Sequence, residues 1–174
     1  DDCKKDRQRT ELQFKKHQKD KKDYWYSASI YLPNDYQSVA PVRTTFVQLY
    51  ERGWKPILMV TDRTGEWLEI GRMWSGEYVE MKKALRINDM KGKWTDVLIS
   101  GRFSREDDGF MKVWIDGKMK VDYKGVANAK IGNELNLRYG MYSSSLDRYR
   151  KAFNETKHKK RVIYFDHLDS FLIL

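Results

Sequence analysis

Arg138 and Tyr142 stand four residues apart in Leu135-Asn136-Leu137-Arg138-Tyr139-Gly140-Met141-Tyr142, a run that reads as an alternating strand. In a strand, that spacing sends both side chains off one face. A cation beside a phenol can lower the phenol's pKa and hold an anionic substrate. The plain alternative is a half-buried strand with an ordinary solvated arginine. Tyrosine, arginine and glutamine together suit β-elimination from a uronic acid. There, a proton next to a carboxylate must be removed and the resulting dianion neutralised by hydrogen bonds or a cation. A base takes that proton while an acid reaches the leaving glycosidic oxygen, and tyrosine can play either part.

Other chemistries lack their residues. The histidines His17, His158 and His167 show no metal-like spacing, and no HExxH, Gly-x-Ser-x-Gly, P-loop or dinucleotide fingerprint occurs. Cys3 is the only cysteine, so neither an internal disulfide nor a cysteine metal site can form within the chain. No cofactor is expected, although the turn aspartates Asp107 and Asp108 are a candidate structural calcium pair. Turns use aspartate routinely, which is the simpler account.

The composition sets the frame for these groups. At 174 residues, with 40% hydrophobic and 14% aromatic content, the chain fits one folded domain. Thirty-four Lys and Arg against 25 Asp and Glu leave a net charge of +9, which favours an anionic partner. No apolar run approaches the roughly 18 residues of a membrane span, so no membrane partner is expected.

Strands are expected at 24–32, 44–50, 57–61, 67–73, 78–87, 94–103, 135–142 and 162–166, with a further one at 171–174. Asp116-Gly117 between two β-rich runs predicts a tight hairpin over 110–123. Residues 1–23 fit a helix or a strand, and 146–153 a short helix. Short strands without long helices point to an all-β antiparallel sandwich or jelly roll. Trp25, Trp94 and Trp114, inside strands, are expected in the core. Trp54 and Trp74, beside turns, are candidates for stacking on sugar rings. The loop from Asp147 to Arg161, with Arg148 and Arg150, is either a solvated flap or an electrostatic funnel beside a cleft.

Several segments, in order along nearly the whole chain, resemble the heparin lyase I-like polysaccharide lyases, a group that includes glucuronan lyases. Arg9-Thr10-Glu11-Leu12 is similar to the family's Arg-x-Glu-Leu segment, and Tyr24 to Pro33 to its aromatic strand ending in Leu-Pro. Trp94-Thr95-Asp96-Val97, Asp107-Asp108-Gly109-Phe110 and Val113-Trp114-Ile115-Asp116-Gly117-Lys118 match its most recognisable block, followed by Val121 to Gly125. Arg138-Tyr139-Gly140-Met141-Tyr142 is similar to Lys-x-Gly-x-Tyr, and Tyr164-Phe165-Asp166 to the closing strand.

The resemblance implies a concanavalin A-like jelly roll, β-elimination from an acidic polysaccharide, a monomer, and a secreted or periplasmic location. By position, Tyr142 would be the catalytic tyrosine, Arg138 would stand where the family often has lysine, and Gln48 would help neutralise the substrate carboxylate. Tyr149 resembles a second tyrosine, and Arg9 and Glu11 fall in a substrate-binding segment. Two departures stand out. The family's Gln-x-His is Gln48-Leu49-Tyr50 here, so Tyr50 takes the histidine's position, and Tyr-Arg-Ser becomes Tyr142-Ser143-Ser144. Family members usually carry further strand sequence before Arg-x-Glu-Leu, which leaves room for strands upstream. Two other readings stay open: a non-catalytic carbohydrate-binding module of the same fold, favoured by Tyr50, and a nucleic-acid binder, which has basic loops but no recognised motif.

Overall fold

Alternation along each β-rich run turns one set of side chains inward, and pairing follows from burying those sets together. The computed structural model describes residues 6–14, 22–51, 53, 55–127, 134–156 and 160–172. Six strands form one antiparallel sheet in the order β1 (Arg7–Gln13), β10 (Leu135–Ser144), β3 (Thr44–Glu51), β4 (Pro56–Asp62), β5 (Trp67–Trp74) and β6 (Glu77–Arg86). Five form the other, ordered β11 (Tyr164–Leu172), β2 (Asp23–Tyr31), β7 (Trp94–Arg102), β8 (Phe110–Ile115) and β9 (Lys118–Lys124). The two sheets share one core, in which Tyr26, Ile30 and Val113 meet Phe46, Leu49, Leu58 and Leu137. Each such side chain contributes about 1.5–3 kcal/mol on burial. The expected all-β antiparallel sandwich is the observed fold.

The Asp116-Gly117 hairpin is present, with positive φ at both residues (48° and 71°), the backbone that a two-residue turn of this hand needs. The 1–23 stretch, where helix and strand were both open, supplies β1 over its described part. Helix α2 (Asp147–Phe153) falls where the short helix was expected. Two boundaries differ. The strand expected to run through Ile87 stops at Arg86, and Ile87–Met90 forms a single turn, α1, that buries Ile87 and Met90. The separate strands expected at 162–166 and 171–174 are one strand, β11, interrupted by a bulge between Asp166 and Asp169. Its last described residue is Leu172.

The tryptophans correct the expectation of a core role. In β2, Tyr24, Tyr26, Ala28 and Ile30 point inward, so alternation sends Trp25 to the outer face with Ser27 and Tyr31. Trp114 stacks on Trp25 from the neighbouring side (5.6 Å, 18°), and Trp94 is 48% exposed. All three lie on the face of the five-stranded sheet away from the core.

Gly140 is the position where β10 depends on glycine. Its φ is +137°, and a Cβ there would run into the Thr10 carbonyl and the Glu11 Cα of β1. Gly140→Ala is expected to prise β1 from β10 at a cost of up to about 2 kcal/mol, capped by the free energy that holds this edge strand in place. Chemical denaturation would show this as a lowered midpoint, and an unchanged midpoint would mean β1 is not held this tightly.

Candidate active site

The face of the six-stranded sheet away from the core collects most of the predicted residues. In β10, register with β1 is regular, placing Gln13 opposite Arg138, Glu11 opposite Gly140 and Arg9 opposite Tyr142. On the other side, β3 sets Gln48 opposite Arg138 and Tyr50 opposite Asn136, and a bulge between Tyr139 and Tyr142 brings Tyr142 opposite Thr45. Arg9, Glu11, Gln48, Tyr50, Arg138 and Tyr142 therefore share one face.

Their contacts form two connected groups. Gln48 Nε2 donates to Glu11 Oε1 at 2.6 Å, and Glu11 pairs with Arg9 at 3.9 Å. The Arg9 guanidinium lies 4.9 Å from the Tyr142 ring centre. In the second group, Arg138 sits 3.9 Å from the centre of the Tyr50 ring and donates through Nε to Gln13 Oε1 at 3.1 Å. Gln13 in turn donates to Asn136 Oδ1 at 2.8 Å. This corrects the pairing read from spacing. Arg138 and Tyr142 do leave one face, but the cation on Tyr142 is Arg9, from a strand more than a hundred residues distant in sequence.

The floor is closed and polar. Gln48 is 4% exposed, and Thr45, Thr61 and Asn136 are as deeply buried. Thr45 Oγ1, Thr61 Oγ1 and Asn136 Nδ2 have no hydrogen-bond partner among the described residues, which is costly unless a ligand or water supplies one. Further along, Tyr78 lies against Gly71, receives a hydrogen bond from Arg43 Nη1 at 2.6 Å and reaches Met59 Sδ at 3.8 Å. Just past Tyr142, Arg43, Arg63 and Arg148 line a cavity of about 710 Å³ with Ser144 and Ser145. Three arginines at one cavity suit an anionic ligand.

The remaining predicted residues are placed elsewhere. Tyr149 packs on Phe153 (4.8 Å) and on the apolar group Val39, Val42 and Leu146. Burial and the Glu155 charge push its phenol up, opposed by Arg161, so its charged neighbours are not the Gln48 group. Arg150 binds Asp6 Oδ1 at 2.6 Å, and the Asp147 N–H donates to Asp6 Oδ2 at 2.7 Å. Partial burial pushes the Asp6 carboxyl up, but the bonds from Asp147 and Arg150 outweigh it and hold the pKa at about 2. Arg150 thus ties α2 to the start of β1. Trp74 is 38% exposed, two residues from Arg72, whose guanidinium covers Tyr123 of the other sheet (3.9 Å). Alternation puts Trp74 on that side rather than with Gln48. Trp54 and Cys3 lie outside the described residues. The basic loop contributes Arg148 to the arginine cavity. Its last member, Arg161, turns inward instead, donating to Thr44 Oγ1 (2.6 Å) and Ser143 Oγ (3.3 Å), where burial pushes its pKa down.

Asn136, Gln13, Arg43 and Tyr78 were not picked out from sequence. Asn136 could have been, because it shares the Arg138 side of an alternating run. Arg43 and Tyr78 are brought in by strands whose register no local pattern records. Among the described residues, no three His, Cys, Asp or Glu side chains are grouped to hold a metal ion, and Asp108 pairs with Arg102 at 3.5 Å.

A family model described as polysaccharide lyase matches residues 1–169. The chain belongs to this polysaccharide lyase family. No curated protein sequence matches it. Among solved structures, this polysaccharide lyase chain superposes on an endo-β-1,4-glucuronan lyase from the fungus Trichoderma reesei with a TM-score of 0.74, at 16% identity over 95% of this chain and 75% of that one. An alginate lyase of polysaccharide lyase family 7, AlgAT5, gives 0.57 at 14% identity, over 88% and 60%. The alginate lyase Aly36B in complex with an alginate trisaccharide gives 0.60 at 13% identity, over 90% and 73%. The chain thus spans 60% of the length of AlgAT5. At such identities the likeness is one of fold. No described helix of this polysaccharide lyase is long and apolar enough to cross a membrane.

Proposed function

We propose that the chain cleaves an anionic, uronate-containing polysaccharide by β-elimination on the outer face of the six-stranded sheet. The observation that carries this reading is the convergence of Gln48, Arg9, Glu11, Arg138 and Tyr142 on one face, in a chain of the polysaccharide lyase family. Arg9, Arg138 and the Arg43–Arg63–Arg148 cavity supply cations along the path of a polyanion.

Register supports the following division of roles. The bond to Glu11, which sits opposite Gly140, draws the Gln48 amide towards Tyr142. Tyr50 stacks on Arg138, four residues from Tyr142 and so roughly 13 Å away along the strand. On this reading Tyr50 and Arg138 face a neighbouring sugar. Tyr142 then performs both proton transfers. Its phenolate takes the proton next to the uronate carboxylate, the C–H electron pair becomes the new C=C bond, and the C–O bond to the leaving sugar breaks. The phenol returns the proton to the leaving oxygen. The Gln48 amide donates to the carboxylate as it gains enolate charge, and Glu11 positions that amide. The monoanion-to-dianion change is thus met by a fixed donor rather than by reorganising water.

Incubation with glucuronan, alginate and glycosaminoglycans, followed by ultraviolet absorbance of the unsaturated product, tests the reading. Absorbance should rise with at least one of them, and silence across the panel would overturn it. Tyr50 in the histidine's position favours a second reading, a module of this fold that binds without cutting. It would show salt-sensitive retention on a polyuronate with no product formed.

A further inference from the structure

The outer face of the five-stranded sheet, on the opposite side of the sandwich from Tyr142, carries a second set of chemically matched groups. At one end, Tyr31 packs on Trp94 (5.5 Å) and on Tyr164 (5.9 Å), with Trp94 48% and Tyr164 54% exposed. At the other end lies the Trp25–Trp114 stack. Trp94 pairs with Tyr31 and Leu98 with Trp114 along β7, so the two aromatic groups stand roughly 13 Å apart.

Between them is a cavity of about 710 Å³, with Ser27, Ser29, Asp96, Leu98 and His167 among its lining. Ser29 Oγ donates to Asp96 Oδ1 at 2.5 Å, and Ser27 Oγ to the His167 carbonyl at 2.8 Å. The β11 bulge, with positive φ at His167 (48°), holds His167 at the rim beside Asp166 (3.8 Å). Flat indole faces at both ends with hydroxyl, carboxylate and imidazole groups between them match a chain of pyranose rings. Such rings stack their C–H faces on aromatics and offer hydroxyls to polar groups.

Charge selects the kind of glycan. The chain as a whole carries +9, yet among the described residues no lysine or arginine lines this cavity, and Asp96 does. A polyuronate would meet the Asp96 carboxylate here with no described cation beside it in the lining, whereas the arginine cavity beside Tyr142 has the opposite character. We infer that the outer face of the five-stranded sheet is a second binding surface for a neutral polysaccharide, back to back with the face that handles the anionic one. The chain would then be held on a neutral glycan matrix while acting on an acidic polymer embedded in it.

Affinity electrophoresis through gels containing a soluble neutral β-glucan, xylan or mannan tests this without reference to lyase activity. The parent chain should be retarded by at least one neutral glycan, with little change on adding salt. Trp94→Ala should bind about tenfold more weakly, and Trp94→Tyr should retain most of the retardation. Trp94 is half exposed, so Trp94→Ala should keep the parent's unfolding midpoint, and its cleavage of an acidic glycan should be unchanged. Migration unaffected by every neutral glycan would overturn the proposal, as would retardation equal in Trp94→Ala and parent. So would a dimer in sedimentation that Trp94→Ala dissociates, since the face would then belong to a second copy of the chain.

Discussion

Tyr142→Phe is expected to lower turnover of the acidic glycan about 1,000-fold, within the range by which a positioned acid or base accelerates proton transfer. Only the hydroxyl is lost. The ring still accepts the Arg9 guanidinium at 4.9 Å, and the backbone pairing of β10 with β1 and β3 is untouched. KM should therefore change little while kcat falls, the pattern of an interaction used in the transition state alone. Tyr50→Phe is the matched control. It keeps the stack under Arg138 and, on the roles assigned above, should retain most of kcat. Full turnover in Tyr142→Phe together with collapse in Tyr50→Phe would exchange the two tyrosines and return Tyr50 to the histidine's role.

Gln48→Ala carries the second large effect, a loss of about 100-fold in kcat, as for removal of one fixed donor from a developing anion. The same change leaves Glu11 Oε1 without the amide that donates to it at 2.6 Å, in a side chain only 4% exposed. Some stability should therefore be lost as well, on the order of 1–3 kcal/mol. Denaturation curves separate the two losses, because kcat is read at a denaturant-free temperature where the variant is folded. A rise in KM at constant kcat would instead make Gln48 a ground-state contact with the sugar.

The sandwich could be read from sequence because its information is local. Tyr24-Trp25-Tyr26-Ser27-Ala28-Ser29-Ile30 announces a strand by composition, and Asp116-Gly117 announces its turn. The same alternation already assigned Trp25 to the serine side. Treating tryptophan as core by type overrode a periodicity that was correct. The site was legible only in part, because its partners are joined by pairing across the chain. Nothing near Tyr142 indicates that Arg9 will lie on its ring, and nothing near Gln48 indicates Glu11. Tyr149 shows the converse. Its residue type fitted the chemistry, but Val39, Val42 and Leu146 claim it for packing.

Strand β1 is the outermost strand of its sheet and among the described residues pairs only with β10, yet it delivers Arg9, Glu11 and Gln13. Its residues are half-buried or exposed, so little apolar burial opposes its detachment. Edge segments of this kind open at a fraction of the global unfolding free energy. Peeling of β1 would leave the sandwich intact while removing the cation from Tyr142 and the anchor from Gln48. Amide protons of β1 should then exchange ahead of those in β3 and β4, and heat should silence any turnover at the Tyr142 face at a lower temperature than it melts the fold.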